Sequence, residues 1–499
     1  MTTYIVKRIL LMIPTLFIIV LVVFGVLQLA PGKPSQGQAG STGAESAQGA
    51  EARESYRIFK EQFNFDKPVF FNFRYNIDTD EVKQRLEILA DQQLPVCPDE
   101  GAKPENCISA SEKPESGKVI DARDTIEDWG EYIVPHLYAI AQKSDRLDVR
   151  LLAIDQLAIN AQLDLKNEFS DKQSDEDRAF NKKAYAENQK IQGWTLPADV
   201  SATQVNELLD EKWGPWLEEH AERFDYDLGE KFWITVSDTR FAKYWGNLLN
   251  FDFGISHVDK QPILPKVIEK MKVSIVLGFF SIFFAYLISV PLGVWSAYKQ
   301  HTTADQVVTV VLFMLYSLPS FFTAVLLLQW FTTGNPFEWF PTGGFEGNNV
   351  DSMTTWEHVT SVAYHMVLPV FCLTYGALAS LSRYARSGLL DVIRADYIRT
   401  ARAKGLSEPM VIIKHAVRNG MIPILTLLGT LLPALIGGSV VLEFVFNIPG
   451  MGLYMLNSIF LKDYNAIMAL TLFSAVLTLI GILLSDISYA VVDPRISFD

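Results

Sequence analysis

The chain has 499 residues, of which 49% are apolar, with a formal charge of −14 and a pI of about 5.1. That length ordinarily gives two to four domains, and the acidity argues against a nucleic-acid binder. The distribution of the apolar residues excludes an ordinary soluble enzyme. Six stretches are free of Asp, Glu, Lys and Arg over a length near the twenty or so residues that a helix needs to cross a bilayer: 9–32, 273–298, 306–337, 361–382, 419–442 and 464–485. The third exceeds that need and is expected to end near Phe331, before the breaker Gly334-Asn335-Pro336.

In chain order, Lys7 and Arg8 precede the first span, which the sequence reads as residues 1–32. A cleaved signal peptide is the alternative, but the apolar run is too long and lacks a small-residue cleavage site. Between spans four and five, residues 383–418 carry eight Lys/Arg, whereas residues 332–360 carry none and four acids. Basic loops stay cytoplasmic, so both termini and the loop 383–420 are expected inside and residues 33 to about 260 outside. The charge divides accordingly. Residues 31–240 hold 25 Lys/Arg against 41 Asp/Glu, and the rest is slightly basic.

Residues 33–76 begin as a Gly-, Ser- and Gln-rich linker and recover aromatic residues from Tyr56 onward. Residues 77–239 read as a helical insert. Within it, 128–162 resembles one HEAT-type unit or an ordinary helical hairpin, two helices joined by a Lys-Ser-Asp turn. A Trp-bearing helical segment, 205–232 with Trp213, Trp216 and Trp233, is expected to pack against it. Cys97 and Cys107, with nine residues between them, are a disulfide candidate in an oxidising compartment, with two separate thiols as the alternative. Cys372, in span four, reads as a small apolar residue.

The sequence contains no Walker A loop, HExxH, GxSxG or paired His/Cys set, so it offers no catalytic and no metal-ligand residues. The spans carry no interior acid or base of the kind that ion-driven carriers use. A transporter built this way takes its energy from elsewhere.

Residues 395–424 then become informative. A helix to Lys404 ends at Gly405, which suits a left-handed position. Ser407 can cap a second helix with Pro409 in its first turn, and Val411, Ile412, Ile413, Ala416 and Val417 supply an apolar side. The expected product is a helix–hinge–helix corner suited to docking on another protein. A loop that only serves orientation and anionic lipid is an alternative, and a tethered DNA-binding helix-turn-helix is a remote one.

DYIRTARAKGLS and HAVRNGMIPI in this stretch resemble the EAA loop of binding-protein-dependent ABC importer permeases, in the form of the dipeptide/oligopeptide family. FNFDKPVFFNFRY, NLLNFDFGIS, SVPLGVWSAY, VLEFVFNIPGMGLYMLNSIFLKDYNAIMA and LLSDISYAVVDPR also resemble that family, in order. The overlap is nearest the B-type subunit of the Yej-type oligopeptide and microcin C importers. It covers nearly all of 1–76 and 240–499 but not the insert.

The resemblance implies an all-α polytopic protein with six transmembrane helices of the MetI-like type I permease fold, with residues 240–499 as its core. It implies a non-enzymatic subunit of a bacterial inner membrane that binds no cofactor, while partner subunits use ATP. Partners would be a homologous second permease, two ATPase subunits, a periplasmic substrate-binding protein and membrane lipid, with no nucleic acid. Arg399, Thr400 and Ala401 stand at the Glu-Ala-Ala positions, with Lys404, Gly405 and Ser407 completing the coupling loop. Arg at 399 departs from the general motif, as does Thr at 400.

Pro449, Gly450 and Gly452 form a breaker cluster. It is expected to be a re-entrant turn or short helix closing the outer end of the path, or else a plain surface turn. Asp493-Pro494-Arg495 is expected to end span six. Peptides are the expected cargo, with nickel or an oligosaccharide as alternatives. A membrane-anchored interaction or sensor protein is the rival from another class.

Overall fold

A computed structural model describes residues 2–29, 60, 64–97, 107–166, 173–256, 258–334, 336–347, 350–417, 420, 424 and 439–492. Most of span five, most of the linker and Asp493-Pro494-Arg495 lie outside these residues. Among the described residues every regular element is helical. The chain separates into two units, one comprising 1–39 and 250–499 and the other 40–249. Helix α1, Thr2–Leu29, is 28 residues long and uncharged from Ile9 onward, and at 1.5 Å per residue that part is long enough to cross a bilayer core.

In the 40–249 unit, α2 (Thr79–Gln93), α3 (Ser116–Trp129), α4 (Val134–Lys143) and α5 (Leu147–Asn160) precede α6 (Asp175–Gln192). The short helices α7 (Ala202–Leu208) and α8 (Gly214–Glu219) follow. One core joins Leu86, Ile126, Ile133, Leu137, Ile154 and Trp213. The hairpin expected at 128–162 is α4–α5, with Pro135 in the first turn of α4, where its missing N–H costs nothing. Arg150 is buried and donates to Ala141 O (2.6 Å) and Asn206 Oδ1 (2.5 Å), so α5 is tied to both neighbours. Cys97 and Cys107 are joined by a disulfide, with their Cα atoms 5.2 Å apart.

The last two helices of this unit are α9 (Leu228–Ser237) and α10 (Arg240–Leu249). They place the edge of the unit ten residues beyond the 239/240 boundary read from sequence. The physical reason is a set of bonds to residues 65–72. Arg240 N and Phe241 N donate to Pro68 O and Val69 O at 2.9 and 3.1 Å, and Asn72 Nδ2 donates to Asp238 Oδ2 at 2.8 Å. Tyr132 donates to the same carboxylate at 2.8 Å, and Lys67 lies 3.5 Å from it. Asp238 is half-buried, which works to raise its pKa, yet Lys67 and Tyr132 hold it below the ordinary value. Trp213 and Trp216 join the core as expected. Trp233 does not, and is 65% exposed.

In the other unit, α11 (Ile263–Tyr298) and α14 (Thr355–Ile393) run along each other. Ser274, Gly278, Ser281, Ala285, Ser289, Gly293 and Ser296 are all buried on α11, a stripe of small residues that lets backbones meet. A Cβ on Gly293 would stand 2.5 Å from Ser382 O of α14.

Span three is not one rod. It is α12 (Thr303–Ser317) and α13 (Ser320–Phe331), bent by 90° at Leu318-Pro319. Proline lacks the N–H and disfavours helix at the preceding residue, and Leu318 accordingly has ψ 123°.

Helix α15 (Asp396–Ala403) leads to α16 (Glu408–Met410), which continues as π-helix over Val411–Val417. The chain ends with α17 (Val440–Val445), α18 (Met451–Phe460) and α19 (Tyr464–Val492). Tyr4 and Arg8 of α1 reach Asp486 of α19 at 2.8 and 3.0 Å, so the start of α1 and the end of α19 share one side.

Candidate functional site

The residues expected to form the coupling loop are brought together in one corner. Gly405 has φ +79° and its N–H donates to Arg402 O at 2.9 Å, ending α15 where a side chain would be strained. Arg402 of α15 clasps Glu408 of α16 across the turn at 2.7 Å, and those bonds raise the guanidinium pKa. Ser407 occupies the N-cap position, but its side chain makes no capping bond.

One face of the corner is anchored. Ile398, Ala401, Val411 and Ala416 form a buried cluster with Ala297 at the end of α11 and Leu389 near the end of α14. The other face is open. Arg399, Thr400 and Lys404 are exposed, as are Tyr397, Leu406, Met410 and Ile413. Ile413, expected on the apolar side with Val411 and Ile412, points out and is 68% exposed, while Val411, Ile412 and Ala416 are the residues of this turn that are buried. Arg399 carries only a weak pairing with Asp396 at 3.4 Å, and Thr400 Oγ1 donates to Asp396 O at 2.9 Å.

The Pro449-Gly450-Gly452 cluster lies at a second corner. Pro449 is exposed, while Gly450 is buried and is the N-cap residue of α18. With no side chain there, the cap comes from Glu443, which is fully buried and accepts from Leu453 N at 2.9 Å. Ser274 of α11 donates to Glu443 Oε1 at 3.0 Å and accepts from Met451 N at 2.9 Å. Gly452 is also required, since a Cβ there would meet Val440 N at 2.9 Å. Gly344 N donates to Phe446 O at 2.8 Å, so the loop after α13 closes over this corner.

Sequence reasoning missed Glu443 and Asp305, because each sits just beyond an apolar run and reads as a span boundary. Asp305 in the first turn of α12 is 3% exposed, accepts from Ser296 and from His301 N, and pairs with Arg386 of α14 at 2.8 Å. The available signal was an isolated acid beside an apolar stretch with a basic residue elsewhere to answer it. Cys372 is buried in α14, and Cys97 and Cys107 belong to the other unit. No group of His, Cys, Asp or Glu among the described residues could hold a metal.

Residues 289–498 match the family described as the binding-protein-dependent transport system inner membrane component. The chain is similar to the oligopeptide transport system permease protein AppB of Bacillus subtilis, 39% identical over 260 residues, 52% of this chain and 80% of that one. It is 37% identical to the dipeptide transport system permease protein DppB of the same organism, over 52% of this chain and 78% of the relative. It is 33% identical to the peptidoglycan transport system permease protein YejB of Agrobacterium fabrum, over 52% and 72%. A solved structure of the MetNI methionine ABC transporter aligns with 46% of this chain and 97% of its own at 17% identity, with a TM-score of 0.37, too low to bear an argument. The two relatives from Bacillus subtilis share more than a third of their aligned residues with this chain and are spanned over more than three quarters of their length. The chain therefore belongs to the inner-membrane permease subunits of binding-protein-dependent ABC importers, among the peptide transporters, and is a transport component rather than an enzyme.

Proposed function

We propose that this chain forms half of a translocation path for peptides delivered by an external binding protein, and takes up the work of ATPase partners through the corner at residues 396–417. Membership of the family sets aside the reading of a membrane anchor or sensor. The observation that carries the proposal is the two-faced corner. Its apolar side is packed on the ends of α11 and α14, and its opposite side presents Tyr397, Leu406, Met410 and Ile413 beside exposed Arg and Lys. Exposed apolar side chains at a rigid turn are suited to a groove in a partner. Force applied there passes straight into the two longest helices.

In this reading both termini and the corner are cytoplasmic, and residues 40–249 are external. A homologous permease supplies the other half of the path and two ATPase subunits dock beneath. The Glu443–Gly450 corner closes the outer end. Peptide is favoured as cargo because relatives named for oligopeptide and dipeptide transport align over half the chain.

The test is Ile413→Asp in the assembled importer. Its side chain is exposed, so the chain still inserts, while uptake and substrate-stimulated ATP hydrolysis fall together. Unchanged uptake, or labelling of a cysteine at 413 only from outside the cell, would overturn the reading.

A further inference from the structure

The 40–249 unit exposes one apolar face that its own core does not use. Leu228, Phe232, Trp233 and Val236 of α9 are 87%, 63%, 65% and 45% exposed, and Phe71 and Phe73 are 62% and 57% exposed. The two segments are joined. Asn72 N donates to Thr235 O at 3.0 Å, and Tyr75 and Thr235 share a hydroxyl hydrogen bond at 2.9 Å. Phe71 stacks with Phe73 at 6.3 Å, and Phe232 packs on Trp233 at 6.0 Å. Among the described residues the unit's other exposed large apolar side chains are scattered: Val96 follows α2, Ile120 is on α3, Tyr185 on α6 and Leu249 at the end of α10.

Helix α9 buries none of its ten residues, although Phe232 and Trp233 are among them, and only Lys231, Ile234 and Thr235 are half-buried. A helix of ten residues is marginal in water without a covered face. We infer that this face, formed by Phe71, Phe73, Phe232, Trp233 and Val236, lies in the headgroup–acyl boundary of the lipid bilayer.

Three observations select lipid. The side chains are the Phe and Trp that favour the membrane interface. The charge also divides: residues 64–76 and 228–249 together hold five Lys/Arg against three Asp/Glu, whereas 77–227 holds 17 against 34. An anionic surface therefore repels the bulk of the insert but not this face. Finally, α10 ends thirteen residues before the spanning helix α11 begins, a tether that reaches at most about 45 Å even when fully extended.

The inference rests on α11 crossing the bilayer and not on transport. The experiment uses the full chain in nanodiscs of phosphatidylcholine and phosphatidylglycerol, with a fluorophore on Trp233→Cys. Native thiols do not compete, because Cys97 and Cys107 are bonded and Cys372 is buried. Tyr185→Cys on α6 is the aqueous reference, and Phe279→Cys, on an exposed position of α11, is the membrane reference.

The label at 233 should be quenched by spin-labelled lipid as the one at 279 is, and should be several-fold less accessible to iodide than the one at 185. Iodide quenching equal to that at 185, without lipid quenching, would overturn the inference. So would protection from both quenchers, which would show protein covering the face. Loss of lipid quenching at 279 as well would instead remove the membrane reading on which the inference stands.

Discussion

The carboxylate of Glu443 occupies the space that a side chain at Gly450 would need: a Cβ built on Gly450 would stand 2.6 Å from Glu443 Cδ. The glycine is therefore there for contact and not for backbone freedom, and the acid supplies the helix cap that the glycine cannot. Gly450→Ala should destabilise the corner by about 1–3 kcal/mol, as overpacking does. Glu443→Ala should cost a similar amount by leaving the first N–H groups of α18 and the Ser274 hydroxyl without their acceptor. Glu443→Gln keeps an acceptor and should be milder. Thermal unfolding of the purified chain in detergent, together with uptake in cells, checks all three.

Gly405 is the opposite case. A Cβ there meets nothing within 4 Å, so only its φ of +79° matters. Gly405→Asn should be tolerated and Gly405→Ala should cost about 1–2 kcal/mol. Gly405→Pro cannot adopt that φ and removes the N–H that bonds Arg402 O, so uptake should be lost while membrane levels persist. Uptake by the proline variant equal to wild type would show that the turn is not the working hinge.

Asp305 and Arg386 join α12 to α14 in a place where Arg386 Nε already lacks a partner. Removing the acid leaves Arg386, whose side chain is 29% exposed, without its partner, so Asp305→Ala should destabilise the chain by about 1–3 kcal/mol, less than for a fully buried pair. The double variant Asp305→Ala/Arg386→Met should recover most of that loss. A double-mutant cycle in detergent reads the coupling, and additive single effects would show that the pair is not a unit.

Burial alone lifts the Asp155 carboxyl of α5 to about 6 from its ordinary 3.8. A raised folded pKa means that the folded state favours the protonated acid. The stabilisation is complete below about 4, declines as pH rises through 6, and stays absent at 7. Asp155→Asn should therefore raise the unfolding temperature by a few degrees at pH 7. It should also flatten the wild-type slope between pH 4 and 6, followed by tryptophan fluorescence of the full chain.

Much of the membrane architecture is written locally. An uncharged run such as 9–32 must be helical in lipid because its backbone has no other partner there. Gly405 announces a turn because few other residues tolerate its backbone angles. Pro319 carried an equally local signal, and reading 306–337 as one run passed over it. The insert was harder to read. Phe232 and Trp233 have the same composition whether they enter a core or stay outside. Which occurs depends on Asn72 and Asp238, 166 residues apart, meeting at 2.8 Å.

By itself the sequence determined that the chain enters a membrane, where most of its spans lie, and where the hinge at 405 falls, since each depends on neighbours within a few turns. Only the tertiary structure decided that Glu443 caps α18, that Asp305 is answered by Arg386, that Ile413 faces outward and that Trp233 is left uncovered. Those outcomes arise from groups far apart in the chain competing for the same few ångströms, and pattern along a single strand of sequence does not contain that competition.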